Sequence, residues 1–201
     1  MDAARRILVV GLGNPGEEYV HTPHNLGFLV IDRLAQMHGI GVTRRDSKAL
    51  TGVGEIAGRP VMLAKPQTYM NLSGTSIRPL MEKHEIPPRD LIVVYDELDL
   101  PWTALRIRPG GSDGGHHGMV SMIGSLGTRE FARVRLGINP GRKIREGAEY
   151  LLAPLRRSQW KDRDELVAYA ADAVGSIIAE GVEKSMTKYN RRARGSNNEE
   201  E

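Results

Sequence analysis

Short apolar runs that alternate with segments of helical periodicity constrain the fold of this chain more than any other feature. Residues 6–10 and 91–95 are compact apolar runs typical of buried strands, whereas residues 26–38 place apolar side chains on one helix face. Strands that alternate with helices favour a sheet covered by helices on both faces. A hairpin-type turn at Gly58-Arg59 adds an antiparallel pair. We therefore predict an α/β fold, a single three-layer domain with a twisted mixed β-sheet flanked by helices.

The domain is expected to span residues 1–190, because no repeat or linker divides that stretch. Residues 191–201 are first basic and then acidic, and we expect a disordered tail there. Asn25 precedes the first helix and is a candidate for its N-terminal cap. Further strands are predicted at 51–57, 60–64, 105–108 and 131–138, and further helices at 71–83, 119–126 and 158–180.

Composition excludes several kinds of site. The chain of 201 residues contains no cysteine, so it has neither disulfides nor a thiolate ligand or nucleophile. Its apolar fraction of 40% is ordinary for a globular protein. No apolar run approaches the roughly 18 residues that a membrane span needs, and residues 1–10 do not read as a signal peptide. We therefore expect a cytoplasmic protein with no membrane partner.

Basic residues are concentrated in one part of the chain, although the formal net charge is only +3. Such a concentration is typical of a phosphate-binding surface, but it is equally compatible with a solvated face that acids balance elsewhere in space. The residues concerned are Arg106, Arg108, Arg129, Arg133, Arg135, Arg142, Lys143 and Arg145.

Polar residues follow three of the predicted elements at positions where α/β sheets collect their sites. Asn14 follows the first strand, Asn71 comes shortly after the strand ending at residue 64, and Asp96 follows the run 91–95. His24, just before the first helix, becomes a candidate base if Asp96 orients it. A neutral imidazole can take a proton from water, and a carboxylate on its other nitrogen sets the tautomer and stabilises the cation. The hypothesis is a His24–Asp96 pair that activates water.

Three other kinds of chemistry were weighed. Gly11-Leu-Gly-Asn-Pro-Gly16 matches a dinucleotide-binding pattern, but no helix is predicted to begin at the glycines, which are better explained as turn residues presenting Asn14. Ser73 is the best candidate for a serine nucleophile, yet the chain contains no G-x-S-x-G elbow. The spacing His21-x-x-His24 is weak for a metal site, and we predict no metal.

A glycine-rich stretch at 110–118 also allows two interpretations. It lacks the Gly-Lys-Ser/Thr ending of a nucleotide P-loop, and it can be a plain connection between a strand and a helix. Its glycines and the basic residues near it in sequence favour a loop that lets a ligand approach the backbone closely.

Together these motifs resemble those of the bacterial peptidyl-tRNA hydrolase family, in the family's order and over nearly the whole chain. The matching segments are Val9-Val-Gly-Leu-Gly-Asn-Pro-Gly-Glu-Glu-Tyr19, His24-Asn-Leu-Gly27, Lys65-Pro-Gln-Thr-Tyr-Met-Asn-Leu-Ser-Gly74, Asp96-Glu-Leu-Asp-Leu-Pro101, Gly114-Gly-His-His-Gly118, Arg133-Val-Arg-Leu-Gly-Ile138 and Met186-Thr-Lys-Tyr-Asn190. The resemblance implies a monomeric enzyme without cofactor that hydrolyses the ester joining a peptide to the 3′ end of tRNA. This activity would return free tRNA to translation and rescue ribosomes.

The resemblance also implies a role for each matching residue. His24 would be the catalytic base, Asp96 the carboxylate that holds it, and Asn14 and Asn71 the amides around the reacting ester. The pocket for the peptide end would include Tyr19, Met70, Gly114, Gly115 and His117. The tRNA phosphates would meet Arg108, Arg135 and Lys143, so that binding should weaken as salt rises.

Three positions depart from the family pattern. His117 stands where the family usually has a substrate-binding asparagine, Pro23 precedes the histidine, and Trp102-Thr103 stand where a glycine is more usual. The second hypothesis is a non-catalytic, splicing-factor-like RNA-binding protein on the same fold. A third, a nucleotide-dependent enzyme using Gly11 to Gly16, would be stabilised by NAD or ATP.

Overall fold

A computed structural model describes residues 5–190, in which seven strands form one mixed sheet of order β2-β3-β4-β1-β5-β7-β6. The predicted tail, residues 191–201, lies outside the described residues. Strands β4, β1, β5 and β7 run parallel, whereas β2, β3 and β6 are antiparallel to their neighbours. The strands are β1 Ile7–Gly11, β2 Arg44–Asp46, β3 Ala49–Ile56, β4 Arg59–Pro66, β5 Leu91–Pro101, β6 Leu105–Arg108 and β7 Ala132–Asn139.

Helices cover both faces of this sheet, so the predicted three-layer α/β class is confirmed. The α-helices are α1 Leu26–His38, α2 Ser73–Lys83, α3 His117–Leu126, α4 Gly147–Leu152, α5 Trp160–Glu180 and α6 Val182–Tyr189. Short 3-10 turns include Glu17–Tyr19, Pro23–Asn25 and Met70–Leu72. Among residues 5–190 no helix is long and apolar enough to cross a membrane.

The alternation of side chains along β1 shows how the layers are held together. Ile7 and Val9 point into a core shared with α1 and α5, whereas Leu8 and Val10 point into a core shared with α2 and α3. Each such side chain contributes roughly 1.5–3 kcal/mol when it is removed from water. Strand β1 is therefore buried on both faces, which explains why its sequence is a continuous apolar run.

Helix α1 and strand β1 approach each other through glycines. A Cβ on Gly11 would lie 2.1 Å from the carbonyl oxygen of Gly27, and a Cβ on Gly27 would lie 2.5 Å from the backbone nitrogen of Leu12. A Cβ on Gly13 would meet the ring of Phe28 at 2.7 Å. These glycines make room for a helix rather than for a nucleotide, which accounts for the Gly-x-Gly pattern without a dinucleotide.

Several predicted boundaries were wrong in detail. The turn between β3 and β4 is at Ala57-Gly58, one residue earlier than predicted, with φ of 51° and 71°. Strand β5 continues to Pro101, well beyond residue 95. Asn25 is not a side-chain cap of α1, because its amide bonds the backbone of Asn14 instead. The elements β2, α4 and α6 were not predicted at all.

A buried carboxylate joins β2 to the end of α2 and makes the stability of the fold depend on pH. Asp46 accepts hydrogen bonds from Lys83 Nζ and His84 Nε2, both at 2.9 Å, and from Ser47. The bond from Lys83, followed by that from His84, holds the pKa of Asp46 well below its usual value. Ionised Asp46 therefore stabilises the fold above about pH 4, the pKa of aspartate in an unfolded chain, and this contribution is lost as the pH falls further.

We therefore expect Asp46→Asn to lower the midpoint temperature of unfolding at pH 7 by roughly 2–6 °C, because charge-assisted hydrogen bonds are lost. The difference between the variant and the native chain should shrink as the pH falls below about 4. Thermal unfolding followed by circular dichroism, in a series from pH 7 to well below pH 4, measures both effects. A difference that stays constant across the pH range would contradict the role assigned to the carboxylate.

Candidate active site

The carboxyl ends of the central strands carry the polar residues that the sequence singled out. Asn14 follows β1, Asp96 lies in β5 beside β1 and β7, and the turn Pro23–Asn25 brings His24 over the same edge. All three line a cleft of about 470 Å³, together with Asn71. The convergence predicted from strand position is therefore present, with β1 and β5 as parallel neighbours.

Asp96 is the centre of the cleft and bridges two histidines. Its Oδ2 lies 2.8 Å from His24 Nδ1, and its Oδ1 lies 3.0 Å from His116 Nε2. The residue is only 1% exposed. Burial alone would raise the pKa of this carboxyl, but the charges and hydrogen bonds of the two histidines hold it well below its usual range. Asp96 is thus an anion that orients both rings.

The hydrogen bonds of the rings indicate where each proton lies. His116 Nδ1 accepts from the backbone N–H of Met119 at 3.3 Å, so the proton of a neutral His116 is on Nε2, facing Asp96. His24 presents Nδ1 to Asp96, and its Nε2 has no hydrogen bond to the residues that the structure describes. Because His24 also lines the cleft, this second nitrogen is available to accept a proton from a water molecule.

Asn14 is held in one orientation by hydrogen bonds on both sides. Its side-chain Oδ1 accepts from the backbone N–H of Met70 at 2.8 Å. Its backbone N–H donates to Asn25 Oδ1 at 2.8 Å, and Asn25 Nδ2 donates to its carbonyl at 2.9 Å. Since the amide oxygen is occupied by Met70, the NH₂ group is the part of Asn14 left for a ligand. Asn14 therefore offers a fixed donor to the cleft.

The predicted pocket residues all line this cleft. They are Tyr19, Met70, Asn71, Gly114, Gly115 and His117. The two glycines have φ of 59° and 78°, a backbone conformation that favours glycine. His117 is the first residue of α3, and it is exposed. Because His117 lines the cleft, the N-terminal end of α3 faces the cleft.

The sequence did not single out several residues of the site. The sequence predicted a pocket role for His117 and none for its neighbour His116. The available signal for His116 was its place after two glycines and before a helix. Asn25 was interpreted as a helix cap. Helix α4 was not predicted, yet its Leu151 and Leu152 form part of the apolar wall of the cleft, together with Tyr69 and Met70. No periodicity in a six-residue helix could have shown this wall.

The competing chemistries would use Ser73 as a nucleophile, or the histidine pair His24 and His116 as metal ligands. Ser73 is fully buried, and its hydroxyl donates to the carbonyl of Met70 at 2.7 Å, so it is not an exposed nucleophile. His24, Asp96 and His116 present nitrogen and oxygen atoms within 4.8 Å of one another, and among the described residues they are the group that could hold a metal ion. His24 Nδ1 and His116 Nε2, however, each already lie at hydrogen-bond distance from an oxygen of Asp96. A zinc ion would instead need each of these atoms at about 2.0–2.2 Å from itself.

Four of the basic residues lie on the two neighbouring strands β6 and β7. Arg106 and Arg135 are opposite each other on β6 and β7, as are Arg108 and Arg133, so the four side chains share one face of the sheet. Arg133 is only 1% exposed and donates to the carbonyls of Ser112 and Arg129, so it belongs neither to an exposed phosphate-binding surface nor to a solvated face. It holds the glycine-rich loop in place instead.

One of the three residues assigned to tRNA, Arg135, is joined by a hydrogen bond to a residue that lines the cleft. Arg135 bonds Glu97, a buried residue of the cleft, with its Nε 3.1 Å from Oε2. Arg108 is half-buried on the edge strand β6. Lys143 is exposed in the segment between β7 and α4. A basic surface therefore adjoins the cleft at Arg135.

A buried carboxylate, a histidine and a fixed amide donor at the carboxyl ends of the central strands are groups with which a hydrolase can activate water and bind a developing oxyanion. A family model described as peptidyl-tRNA hydrolase matches residues 8–198. Peptidyl-tRNA hydrolase of Solibacter usitatus is 66% identical over 96% of this chain and 98% of the relative, and that of Koribacter versatilis is 52% identical over 92% of both. The crystal structure of peptidyl-tRNA hydrolase from Acinetobacter baumannii superimposes with a TM-score of 0.86 at 33% identity, covering 96% of this chain and 98% of the other. The chain belongs to the peptidyl-tRNA hydrolase family.

Proposed function

We propose that this chain hydrolyses the ester between a peptide and the 3′-terminal ribose of tRNA, with His24 as the base. The observation that carries the proposal is the pairing of His24 Nδ1 with Asp96 at 2.8 Å, which leaves Nε2 unbonded in the cleft that the fixed amide of Asn14 also lines. Family membership supports the nature of the substrate. The geometry supports the assignment of residues to the chemistry.

The proposed reaction needs only water and side chains of the site. His24 Nε2 takes a proton from water, whose oxygen attacks the ester carbonyl carbon. Asp96 stabilises the imidazolium that forms, and the amide NH₂ of Asn14 donates to the oxygen on which negative charge develops. The carbon–oxygen bond to the ribose then breaks, and the imidazolium returns its proton to the ribose oxygen. The products are a peptide with a free carboxylate and a tRNA with a free hydroxyl.

The surroundings of the base suit an ester of this kind. Met70, Leu151 and Leu152 line the cleft with apolar side chains, whereas Asn71 and His117 offer polar groups for the peptide end. Arg108, Arg135 and Lys143 are proposed to bind tRNA phosphates, which would make affinity decrease as salt rises. We propose a monomer that acts in the cytoplasm, where free tRNA is consumed in translation.

Release of the acyl group from an N-acetylated aminoacyl-tRNA tests this function. We expect rapid release that EDTA does not reduce, since Asp96 already engages His24 Nδ1 and His116 Nε2 by hydrogen bonds. The matching aminoacyl-tRNA with a free amine is the control substrate and should be cleaved slowly or not at all. If the folded chain binds tRNA but releases nothing, the non-catalytic RNA-binding hypothesis replaces the proposal. Loss of activity in EDTA that zinc restores would instead assign the histidine pair to a metal.

A further inference from the structure

The loop that leads from β1 to the base His24 is fastened to helix α5 through His21. The backbone carbonyl of His21 accepts from the N–H of Leu155 at 2.8 Å, in the segment between α4 and α5. The imidazole of His21 stacks on the indole of Trp160, with ring centroids 4.6 Å apart and an angle of 22° between the ring planes. Its Nδ1 lies 3.0 Å from Nη1 of Arg163. Backbone and side chain of one residue therefore join the loop to the start of α5.

The surroundings of Arg163 direct its guanidinium at His21. Arg163 is buried, and its Nε and Nη2 both lie 2.8 Å from Oδ1 of Asp164. Its Cζ lies 4.9 Å from the centre of the Trp160 ring, so the guanidinium is held on the indole that also carries His21. A guanidinium donates and cannot accept, so Nδ1 of His21 is the acceptor and the proton of a neutral His21 is on Nε2. The bond from Arg163 therefore fixes the orientation of an imidazole on an otherwise exposed residue.

The chain between His21 and His24 is short and stiff. It consists of Thr22 and Pro23, which are both buried, and the ring of Pro23 restricts its φ. Asp96 fixes Nδ1 of His24, whereas Nε2 has no hydrogen-bond partner within residues 5–190. The position of Nε2 therefore depends on the backbone of the turn as well as on Asp96, and a displacement of His21 is carried to the base.

We propose that His21 is a positioning residue for the hydrolysis, whose hydrogen bond with Arg163 holds the turn so that Nε2 of His24 is placed for the attacking water. This inference rests on the proposed function. A misplacement of about 1 Å at a reacting group can cost on the order of 10²-fold in rate. Because His24 acts on water rather than on the binding of RNA, its displacement lowers kcat and leaves KM nearly unchanged. Stacking on Trp160 alone would stabilise the loop without this effect, so the bond and the stacking are tested separately.

Two substitutions of His21 separate the hydrogen bond from the stacking. His21→Phe keeps an aromatic ring on Trp160 but removes the acceptor, whereas His21→Asn removes the ring and places an amide oxygen near the position of Nδ1. We expect His21→Phe to lower kcat for acetylated aminoacyl-tRNA about tenfold with KM changed less than about twofold, and His21→Asn to retain more than about half of the native kcat. Arg163→Met, which removes the donor, should resemble His21→Phe. His38→Phe makes the same change at an exposed histidine of α1 and should alter neither constant.

A spectroscopic measurement follows the base without substrate. The NMR signals of the His24 ring nitrogens, recorded with isotope-labelled histidine, should shift in His21→Phe and in Arg163→Met but not in His38→Phe. A role of His21 in stability alone would lower the midpoint temperature of unfolding and leave these signals in place.

The possible outcomes separate this inference from the function on which it rests. A native kcat, or unchanged His24 signals, in folded His21→Phe and Arg163→Met variants would overturn the positioning role while the hydrolase function stands. A loss that His21→Asn shares in full, or a raised KM at native kcat, would overturn it as well, because neither arises from the hydrogen bond acting on the base. A folded native chain that cleaves no acetylated aminoacyl-tRNA would overturn both. Because the two bond-breaking variants change different elements, misfolding of one leaves the other to decide the question.

Discussion

Asp96→Asn is expected to lower kcat for acetylated aminoacyl-tRNA by a factor of order 10³–10⁴. An asparagine would present its NH₂ group to His24 Nδ1 and place the imidazole proton on Nε2, the nitrogen that must accept a proton from water. Steady-state release of the acyl group measures the loss. The affinity for tRNA, measured separately, should change little because the basic surface is intact.

Asp172→Asn provides the matched control, since it makes the same chemical change at an exposed residue of α5. It should leave kcat unaltered. Asp96→Asn should also retain the native circular dichroism spectrum, because asparagine has nearly the shape of aspartate. If a folded Asp96→Asn variant kept more than about a tenth of the native kcat, Asp96 could not be the group that sets the tautomer of His24.

Gly27→Ala is expected to cause the largest loss of stability. Its Cβ would lie 2.5 Å from the backbone of Leu12 and of Val94, and backbone atoms cannot move aside as a flexible side chain can. Helix α1 would have to shift away from the sheet, at a cost of about 1–3 kcal/mol or more. Because α1 begins directly after the turn that carries His24, activity should fall together with the midpoint temperature of unfolding.

Gly175→Ala is the control for this substitution, because it makes the same change inside helix α5, where a Cβ meets nothing within 4 Å. Alanine there should raise stability by about 0.5–1 kcal/mol through its higher helix propensity. Urea unfolding of the two variants measures both changes. A Gly27→Ala variant as stable as the native chain would show that α1 can move away from β1 without loss of packing.

Much of the fold could be predicted because the sheet is built from segments with a strong local signal. Residues 7–10 and 91–95 are continuous apolar runs, and they are indeed central strands buried on both faces. Short elements escaped prediction because their stability comes from tertiary contacts rather than from periodicity. Strand β2 has three residues and contains two exposed arginines, which no pattern of apolar residues identifies.

The site could be predicted only in part. Asn14 and His24 stand where the chain passes from one element to the next, and Asp96 follows the apolar run at 91–95, so the convergence of Asn14 and Asp96 followed from the expected parallel order. The hydrogen bond of a second histidine to Asp96 could not be predicted in this way. The choice between adjacent His116 and His117 depends on how the preceding glycines turn the backbone. The buried position of Arg133 could not be predicted for a related reason. Alternation along β7 shows which face of the sheet it occupies, but not that the glycine-rich loop covers that face.

The central position of β1 and β5 has a consequence for how the molecule loses and keeps its activity. Strands at the edges of a sheet, here β2 and β6, exchange their amide hydrogens through local opening, whereas central strands exchange only when the whole domain unfolds. Asn14 follows β1, and Asp96 lies in β5, where its carboxylate holds His24. We therefore expect fraying at either edge of the sheet to leave Asn14 and Asp96 on paired strands, so that loss of an edge strand does not by itself remove the catalytic geometry.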